Sequence, residues 1–341
     1  MSDIRTRKDE HLDIVLDGRA RPAAGRSAFD DVVFRHEAVP QLDAAAIDLT
    51  TRFLAFDLGA PLLISSMTGG PRRAGDINRA LAEAAAHHRI ALGVGSQRIA
   101  IEAQGDSGIG RDLRARMQGA PLFANIGAAQ VAEWKAPSKS LAAVDMIAAD
   151  ALIVHFNPLQ EAVQAGGDTD WRDVMPALEA LAAASPVPLI AKEVGAGISG
   201  ETARRLVEAG FAAIDVAGTG GTSWAAVEGA RADDTCGSEI AAPFHDWGIP
   251  TPTALKQCQA AVPGVPLIAS GGIRHGLDAA RAIRLGARVV GQAAALLPAA
   301  LEGAEAVSRR LDTLIEQLRI ACFCTGSENL DALARAPLLT D

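Results

Sequence analysis

A segment rich in polar side chains, His155-Phe-Asn-Pro-Leu-Gln160-Glu161, directly follows the apolar run 151–154. The run predicts a short buried strand, so an imidazole, two carboxamides and a carboxylate would emerge together at its C-terminal end. In barrels of alternating strands and helices, that end of a strand is where catalytic groups lie. We therefore take this segment as the first candidate for an active site.

The elements that would position this segment follow a regular order from residue 61 onward: an apolar run, a polar loop with glycine, and an amphipathic helical pattern. The apolar runs lie at 61–67, 90–94, 121–124, 151–154, 187–191, 212–216, 266–269 and 288–291. These eight units predict an α/β fold, specifically a (β/α)₈ TIM barrel. A doubly wound sheet is the alternative, but it needs a Gly-x-Gly-x-x-Gly turn after its first strand, and only the sixth loop is comparably rich in glycine.

Residues 1–60 carry no regular period and are predicted to form an N-terminal extension that contributes to the substrate site. Residues 61–341 would form the barrel together with C-terminal helices. The last helical pattern, 304–320, places Val307, Leu311, Leu314, Ile315 and Leu318 at helical spacing, which is typical of a core-facing surface. After Trp224 a long loop is expected up to about Pro250.

The bulk composition limits the class of protein. The chain has 341 residues, of which 49% are hydrophobic, and its formal net charge is −9. The apolar content excludes a disordered chain, and the acidic balance without a Lys/Arg block argues against nucleic acid or an anionic membrane surface as a partner. The charged N-terminus lacks a signal-peptide core, and no apolar stretch approaches the roughly 20 residues of a membrane span. The four cysteines are too few for a disulfide framework, so a cytoplasmic location is expected.

Two glycine-containing loops in adjacent units are candidates for binding phosphate. Ser270-Gly271-Gly272-Ile273 lets backbone N–H groups approach an anion, and a helix N-terminus follows it. Gly291-Gln-Ala293-Ala294 provides a similar rim of small residues in the last unit, where TIM barrels commonly bind phosphate. Glycines that only turn the chain tightly are the alternative, but two such loops side by side favour a phosphate-bearing ligand.

Other strand ends carry residues that suit the edge of a flat heteroaromatic ring. They are Ser66, Met67, Thr68, Ser96, Asn125 and Lys192. The lysine would place a positive charge beside the electron-rich part of such a ring. Each of these residues alone is more often a hydrogen-bonded structural group than a ligand, so the prediction depends on their common position.

A second anion site is suggested by Arg7, Lys8, His11 and Arg98, since Arg offers a bidentate fork and Lys a point charge. A solvated basic tail is the alternative. Beside a diphosphate, Glu161 would hold Mg²⁺ together with phosphate oxygens, unless it simply pairs with Lys or Arg. Equally, His155 alone would be an ordinary hydrogen-bonded core histidine. No Gly-x-Ser-x-Gly motif, Cys–His pair or metal-binding histidine cluster is apparent, so a cofactor must supply the difficult chemistry.

Taken in their order along the chain, these motifs resemble those of the type 2 isopentenyl diphosphate isomerases over nearly the whole length. The matching motifs are Arg7-Lys8-x-Glu10-His11, Met67-Thr-Gly-Gly70, Gly95-Ser-Gln-Arg98, Asn125-Ile-Gly127, His155-x-Asn157-x-x-Gln160-Glu161, Lys192-Glu-Val-Gly195, Asp215-Val-Ala-Gly-Thr-Gly-Gly-Thr-Ser-Trp224, Ser270-Gly-Gly-Ile-Arg274, and Thr325-Gly326 with Asn329-Leu330. The chain departs from the family pattern in having no Tyr and in carrying Ser327 where the family usually has Cys.

The resemblance implies an FMN-containing barrel that interconverts isopentenyl and dimethylallyl diphosphate, with FMN reduced by NADPH and with Mg²⁺ bound. Contacts to FMN are then expected from Met67, Thr68, Gly69, Ser96, Asn125, Lys192 and Thr222, and contacts to its phosphate from Gly271, Gly272, Ile273, Ala293 and Ala294. Contacts to substrate are expected from Arg7, Lys8, Ser96, Gln97, Arg98 and Gln160, and a contact to Mg²⁺ from Glu161. His155 and Gln160 would position substrate and protons at the reaction centre. The family also suggests a homotetramer or homooctamer.

Two other functions compete with this one. An FMN-dependent 2-hydroxy acid oxidase or dehydrogenase has a similar barrel, but it needs a base His and substrate-binding Arg residues, typically after the sixth strand. That position here reads Gly-Thr-Gly-Gly-Thr-Ser-Trp. A non-catalytic flavin-binding or phosphodiester-binding barrel would not need the many polar strand ends that converge here.

Overall fold

The computed structural model describes residues 4–18, 20, 27–66, 74–103, 108–232 and 234–339. Its strands are β1 Thr51–Phe53, β2 Phe56–Leu58, β3 Leu62–Ile64, β4 Ala91–Gly93, β5 Leu122–Gly127, β6 Ala151–Phe156, β7 Leu189–Glu193, β8 Ala213–Asp215, β9 Leu267–Ala269 and β10 Ala287–Gln292. Strands β3 to β10 pair in parallel in chain order, and β10 pairs with β3 to close the barrel. The predicted (β/α)₈ barrel and all eight predicted strand positions are confirmed.

The barrel strands are short and almost entirely buried, because helices cover their outer face and side chains fill the interior. One set of buried side chains forms the interior cluster: Phe53, Leu58, Leu63, Ala91, Phe123, Ala151, Ile153, Ile190, Ala213, Ile268 and Val289. The barrel is therefore a packed core rather than a pore.

Helices follow most of the strands and form the outer layer. They are α1 Ile4–Leu16, α2 Ala74–His88, α3 Arg98–Ala103, α4 Arg111–Arg116, α5 Ala128–Trp134, α6 Pro137–Ile147, α7 Pro158–Val163, α8 Val174–Ala184, α9 Gly200–Glu208, α10 Trp224–Arg231, α11 Thr235–Ala241, α12 Thr251–Ala261, α13 Gly276–Arg284, α14 Leu297–Glu302, α15 Ala304–Cys324 and α16 Leu330–Leu333. Helix α15 packs against α2 and α13, which closes the helical ring. Val307, Leu311, Leu314 and Leu318 are buried on it, as predicted.

The N-terminal region is more regular than the sequence analysis expected. It contains α1 and the antiparallel hairpin of β1 and β2. Hairpin residues Phe53 and Leu58 belong to the interior cluster, and the rings of Phe53 and Phe123 lie 6.2 Å apart. The pattern was not apparent because two three-residue strands are too short to show a period. The hairpin covers the N-terminal end of the barrel.

The expected loop after Trp224 is also wrong in detail, since α10, α11 and a 3₁₀ turn at Ala242–Phe244 occupy most of it. Helix α10 begins where the hydroxyl of Ser223 accepts a hydrogen bond from the Ala226 N–H, and α11 begins where Asp234 accepts from the Gly237 N–H. These are ordinary N-cap signals in helices with weak apolar periodicity.

None of the helices in the described ranges has the length and apolar content to cross a membrane.

Candidate active site

A cavity of about 940 Å³ lies at the C-terminal end of the barrel. Fifteen of the residues predicted to bind ligands or act in catalysis line it: Arg7, Lys8, Ser96, Arg98, Asn125, His155, Gln160, Glu161, Lys192, Thr222, Gly271, Gly272, Ile273, Ala293 and Ala294. They come from α1 and from the ends or following loops of six or more strands, so the fold collects them from distant parts of the chain. Met67, Thr68 and Gly69 lie outside the described residues.

Gln97 is the predicted substrate ligand that the structure places elsewhere. Its side chain is fully buried; Nε2 donates to the Ala143 carbonyl at 2.9 Å, and Oε1 accepts from the Asn125 N–H at 2.9 Å. The side chain is enclosed and does not line the cavity. It holds the backbone that presents Asn125, and the motif does not reveal this because its neighbours Ser96 and Arg98 both line the cavity.

His155 lies at the end of β6 and its Nδ1 is 2.7 Å from the Asn125 carboxamide oxygen. Burial, together with the positive charges of Lys192 and Lys8, lowers the pKa of His155 to about 4. The ring is therefore neutral at physiological pH and donates its Nδ1 proton to Asn125, with Nε2 as the acceptor. A neutral imidazole can orient a substrate but is a poor proton donor.

The residues after β6 form one hydrogen-bonded group at the start of α7. The Asn157 carboxamide donates to Gln160 Oε1 at 3.1 Å and to Glu161 Oε1 at 2.8 Å. Pro158 begins the helix, which needs no N–H at that position. One turn of helix thus brings Gln160 and Glu161 to the same side, and Asn157 fixes both side chains.

Glu228, on α10, is a site residue that the sequence analysis missed. Its carboxylate accepts from Gln160 Nε2 at 2.8 Å and from Arg231 at 2.6 Å, and it lies 3.0 Å from His11 Nε2. Burial alone would raise the pKa of Glu228, but the hydrogen bonds from His11 and Gln160 hold it below its ordinary value. The carboxylate is therefore ionised and fixes the carboxamide of Gln160. The sequence analysis did not identify Glu228 because it lies on α10, in a region that was expected to be a loop.

Glu161 is buried, and neutral donors surround its carboxylate. Gln164 Nε2 donates to Oε2 at 3.1 Å, and the Asp168 backbone N–H donates to the same oxygen at 2.8 Å. Across the described ranges, no group of three or more His, Cys, Asp or Glu residues has the arrangement of a metal site. A cation at Glu161 would thus need oxygens from a bound ligand to complete its coordination.

Basic residues line the cavity close to Glu161, since Arg98 pairs with Asp168, whose N–H donates to Glu161. Lys8 Nζ donates to the Ser96 carbonyl at 3.2 Å, and burial with the nearby charges of Arg7 and Arg98 lowers the pKa of Lys8 to about 7. Arg98 contacts three carboxylates: Glu102 at 3.2 Å, Glu133 at 3.4 Å and Asp168 at 3.2 Å. The structure therefore brings Arg7, Lys8 and Arg98 together at the cavity, with Arg98 already paired.

Lys192 is the next-to-last residue of β7 and lies beside His155 of β6 at the cavity. It lies 3.1 Å from Asp215 Oδ2 and donates to the Ser270 hydroxyl at 3.2 Å.

Next to Lys192, the carboxylate of Glu193 accepts hydrogen bonds from the backbone N–H groups of residues 194–197. Burial raises the pKa of Glu193 to about 7, against the effect of these four N–H groups. This carboxylate fixes the loop that supports Thr222, since a Cβ at Gly195 would lie 2.7 Å from the Thr222 carbonyl.

The loop after β9 has the features of an anion cradle. Gly271 and Gly272 have φ of +88° and +78°, which favour glycine, and a Cβ at Gly271 would lie 2.1 Å from the Gly218 carbonyl. The N–H groups of Gly272 and Ile273 donate to no acceptor among the described residues. Ser65 Oγ, Ser66 Oγ and Gln292 Oε1 are also buried at the cavity without a partner in the described part of the chain. Unpaired polar groups on one wall fit a ligand with a phosphate and a polar ring edge, as FMN has.

The family described as FMN-dependent dehydrogenase matches residues 110–340. The chain is 57% identical to the isopentenyl-diphosphate delta-isomerase of Stutzerimonas stutzeri over 98% of this chain and 96% of that protein. It is 54% identical to the enzyme of the same name from Xanthobacter autotrophicus over 98% of this chain and 97% of that protein. The chain belongs to the isopentenyl-diphosphate delta-isomerase family. Membership confirms the resemblance inferred from the motifs.

Solved structures of other enzymes share the fold of this isomerase family member. A lactate oxidase from Pediococcus acidilactici has a TM-score of 0.66 at 18% identity over 97% of this chain and 94% of that chain. A mandelate oxidase has a TM-score of 0.65 at 18% identity over 98% of this chain and 97% of that chain. Likeness at this level of identity concerns the barrel and not the reaction.

Proposed function

We propose that this chain interconverts isopentenyl and dimethylallyl diphosphate by a 1,3-allylic proton shift, with reduced FMN as acid and base and with Mg²⁺ on the diphosphate. The observation that carries the proposal is that one cavity brings together glycine loops with unpaired polar groups on one wall and Glu161 with Arg7, Lys8 and Arg98 on the other. A substrate that carries a diphosphate on a small alkene matches the second wall.

The cradle supports FMN. Gly271, Gly272 and Ile273, with Ala293 and Ala294, would hold its phosphate, and Ser66, Ser96, Asn125, Lys192 and Thr222 would line the edge of its ring. Met67, Thr68 and Gly69 complete the proposed set. When bound and reduced, FMN supplies a proton donor and acceptor and an electron-rich ring beside the alkene, which stabilises developing positive charge.

The chain's own residues would position the substrate. Arg7, Lys8 and Arg98 are proposed to bind the diphosphate, and Glu161 to bind Mg²⁺ that the diphosphate also coordinates. Gln160 is held from both ends, by Asn157 at its oxygen and by Glu228 at its nitrogen. It therefore presents a fixed carboxamide to the alkene, while neutral His155 keeps Asn125 in place for the ring.

Further features of the proposal follow from the family resemblance and the composition. NADPH is the proposed reductant, the location is cytoplasmic, and the assembly is a homotetramer or homooctamer. Residues 1–60 act as an extension that completes the substrate site of the FMN-binding barrel at 61–341. The position of Arg7 and Lys8 on the cavity wall supports this role of the extension.

The test is proton exchange. The purified protein should be yellow, and when FMN is reduced by NADPH or dithionite with Mg²⁺ present, NMR should detect interconversion of the diphosphates and deuterium entry at C2 and C4 in D₂O. Isopentenyl diphosphate that keeps all its protons in the presence of fully reduced bound FMN would contradict the isomerase proposal. Oxidation of lactate or mandelate instead would favour the 2-hydroxy acid oxidase alternative, although the loop 217–223 directly after β8 contains neither His nor Arg.

A further inference from the structure

Three buried polar side chains meet at the ends of adjacent strands β7, β8 and β9. They are Lys192, Asp215 and Ser270, which are 7%, 0% and 5% exposed. Lys192 Nζ lies 3.1 Å from Asp215 Oδ2 and donates to Ser270 Oγ at 3.2 Å. The Ser270 hydroxyl in turn donates to Asp215 Oδ1 at 2.7 Å. The arrangement is a closed triangle, and Lys192 and Ser270 also line the cavity.

Two hydrogen bonds fix the position of the lysine. Its ammonium group donates to Ser270 Oγ and to the Glu193 carbonyl at 3.0 Å, and it lies beside Asp215 Oδ2 as an ion pair. The positive charge on this wall is therefore both held in place and offset by a fully buried carboxylate. A flavin at this wall would meet a lysine whose charge is already largely balanced.

A buried ion pair is a costly way to stabilise a fold, since apolar residues of similar size commonly stabilise as well. A pair that faces a ligand cavity is more readily explained by what it does to the ligand. The electronic state of a bound flavin depends on the charge beside its ring. Asp215 does not itself line the cavity, so any effect it has must pass through Lys192 and Ser270, which do.

We propose that Asp215 is a positioning residue that partly neutralises Lys192 and so sets how strongly the lysine stabilises negative charge on the bound flavin. It thereby limits how strongly the site favours reduced over oxidised FMN. This inference rests on the proposed function, because it requires FMN at this wall. Reduction adds two electrons to the ring with either one proton, which leaves the ring negative, or two protons, which leave it neutral. A lysine without its carboxylate stabilises the negative form more strongly.

The experiment is an equilibrium reduction of the holoprotein by dithionite against a reference dye. Asp215→Asn should shift the balance toward reduced FMN by about tenfold, which is about 30 mV for a two-electron couple. The absorption spectrum of the reduced flavin should also change from neutral to anionic at a lower pH. Asp150→Asn is the control, because that carboxylate pairs with Arg114 and accepts from the Leu122 N–H at the other end of the barrel.

Removal of one partner of a buried pair commonly destabilises a protein, whereas replacement of both partners does not. The double variant Lys192→Met with Asp215→Asn is therefore measured as well. If the two charges offset each other, the ratio of reduced to oxidised FMN in this double variant should stay within about threefold of the wild-type ratio. A tenfold fall in the ratio of reduced to oxidised FMN in the double variant, or no rise of this ratio in a folded Asp215→Asn variant, would overturn the inference. If the wild type is an active isomerase and Asp215→Asn leaves the ratio unchanged, only the inference on Asp215 is wrong. If the wild-type chain binds no FMN, the proposed function is wrong as well.

Discussion

The two walls of the cavity are built on different principles. The cradle wall, formed by Lys192, Thr222, the loop 270–273 and the loop 291–294, consists of backbone N–H groups and an internally balanced ion pair. The clamp wall, formed by α1, Arg98 and residues 157–168, consists of charged side chains that pair with one another. In the described part of the cradle, the N–H groups of Gly272 and Ile273 are unpaired and available to a ligand. In the clamp, Arg98 is already paired with three carboxylates and must release at least one of them to bind a diphosphate.

This difference determines what each substitution should reveal. On the cradle wall, a change should alter the affinity or the electronic state of the cofactor with little effect on diphosphate. On the clamp wall, a change should alter the binding of diphosphate and Mg²⁺ and leave the flavin in place. Substitutions that mix the two outcomes would break the comparison.

The largest effect is expected for Glu161→Gln. The carboxylate is the one proposed protein ligand of Mg²⁺, so activity should fall by more than about 100-fold, and the visible spectrum of bound FMN should not change. Turnover at saturating Mg²⁺ and flavin content per chain are the measurements. Glu133→Gln, which removes a carboxylate on the far side of Arg98, is the matched control. A colourless Glu161→Gln protein would place this residue in the cradle instead.

Glu193 offers a test of the cradle through stability. Its folded pKa of about 7 lies above the ordinary value of 4.5, so its contribution to stability is complete below the ordinary pKa and is lost as pH rises through 7. When the pH rises from 5 to 8, the free energy of unfolding of Glu193→Gln should therefore fall by roughly 1–3 kcal/mol less than that of the wild type. Urea unfolding midpoints at the two pH values measure this difference. Glu201→Gln, on the exposed face of α9, should keep the wild-type dependence, and an unchanged slope for Glu193→Gln would contradict the assignment.

Lys8 makes the clamp sensitive to pH. Because its pKa is about 7 without a ligand, an incoming diphosphate should raise that pKa, and binding above pH 7 should take up a proton. The affinity for inorganic pyrophosphate should fall as pH rises, by at most about tenfold per unit. Calorimetry in two buffers with different ionisation heats counts the protons. Lys8→Arg should bind with no uptake, and equal uptake in that variant would assign the proton to another group.

The smallest effect is expected at Asp168, which links the two halves of the clamp. Its side chain pairs with Arg98, and its N–H holds Glu161. Asp168→Asn releases Arg98 from one of its three carboxylates, so pyrophosphate without Mg²⁺ should bind about threefold more tightly, as partly exposed ion pairs are weak. Asp170→Asn is the control, since that pair with Arg172 is exposed. Weaker binding in Asp168→Asn would mean that Asp168 helps the diphosphate rather than competing with it.

The cradle could be predicted from the sequence better than the clamp. The eight strands lie where the apolar runs predict them, and the glycine-loop residues 271–273 and the small residues 293–294 line the cavity. Gln97 was misplaced because direction of a side chain within a loop leaves no trace in a motif. Glu228 and Asp168 were missed because each acts through a partner distant in the chain, Gln160 and Arg98 respectively. Contacts of this kind depend on packing and not on spacing.

The hairpin of β1 and β2 has a consequence for the order of events in catalysis. Phe53 and Leu58 fill the N-terminal end of the barrel, and the cavity lies at the opposite, C-terminal end. If FMN binds there as proposed, a reductant and an alkene diphosphate would reach it through the same cavity and could not occupy it together. The kinetics should accordingly show one reduction of the flavin, followed by many substrate turnovers. During these turnovers a bound substrate should exclude the reductant from the cavity.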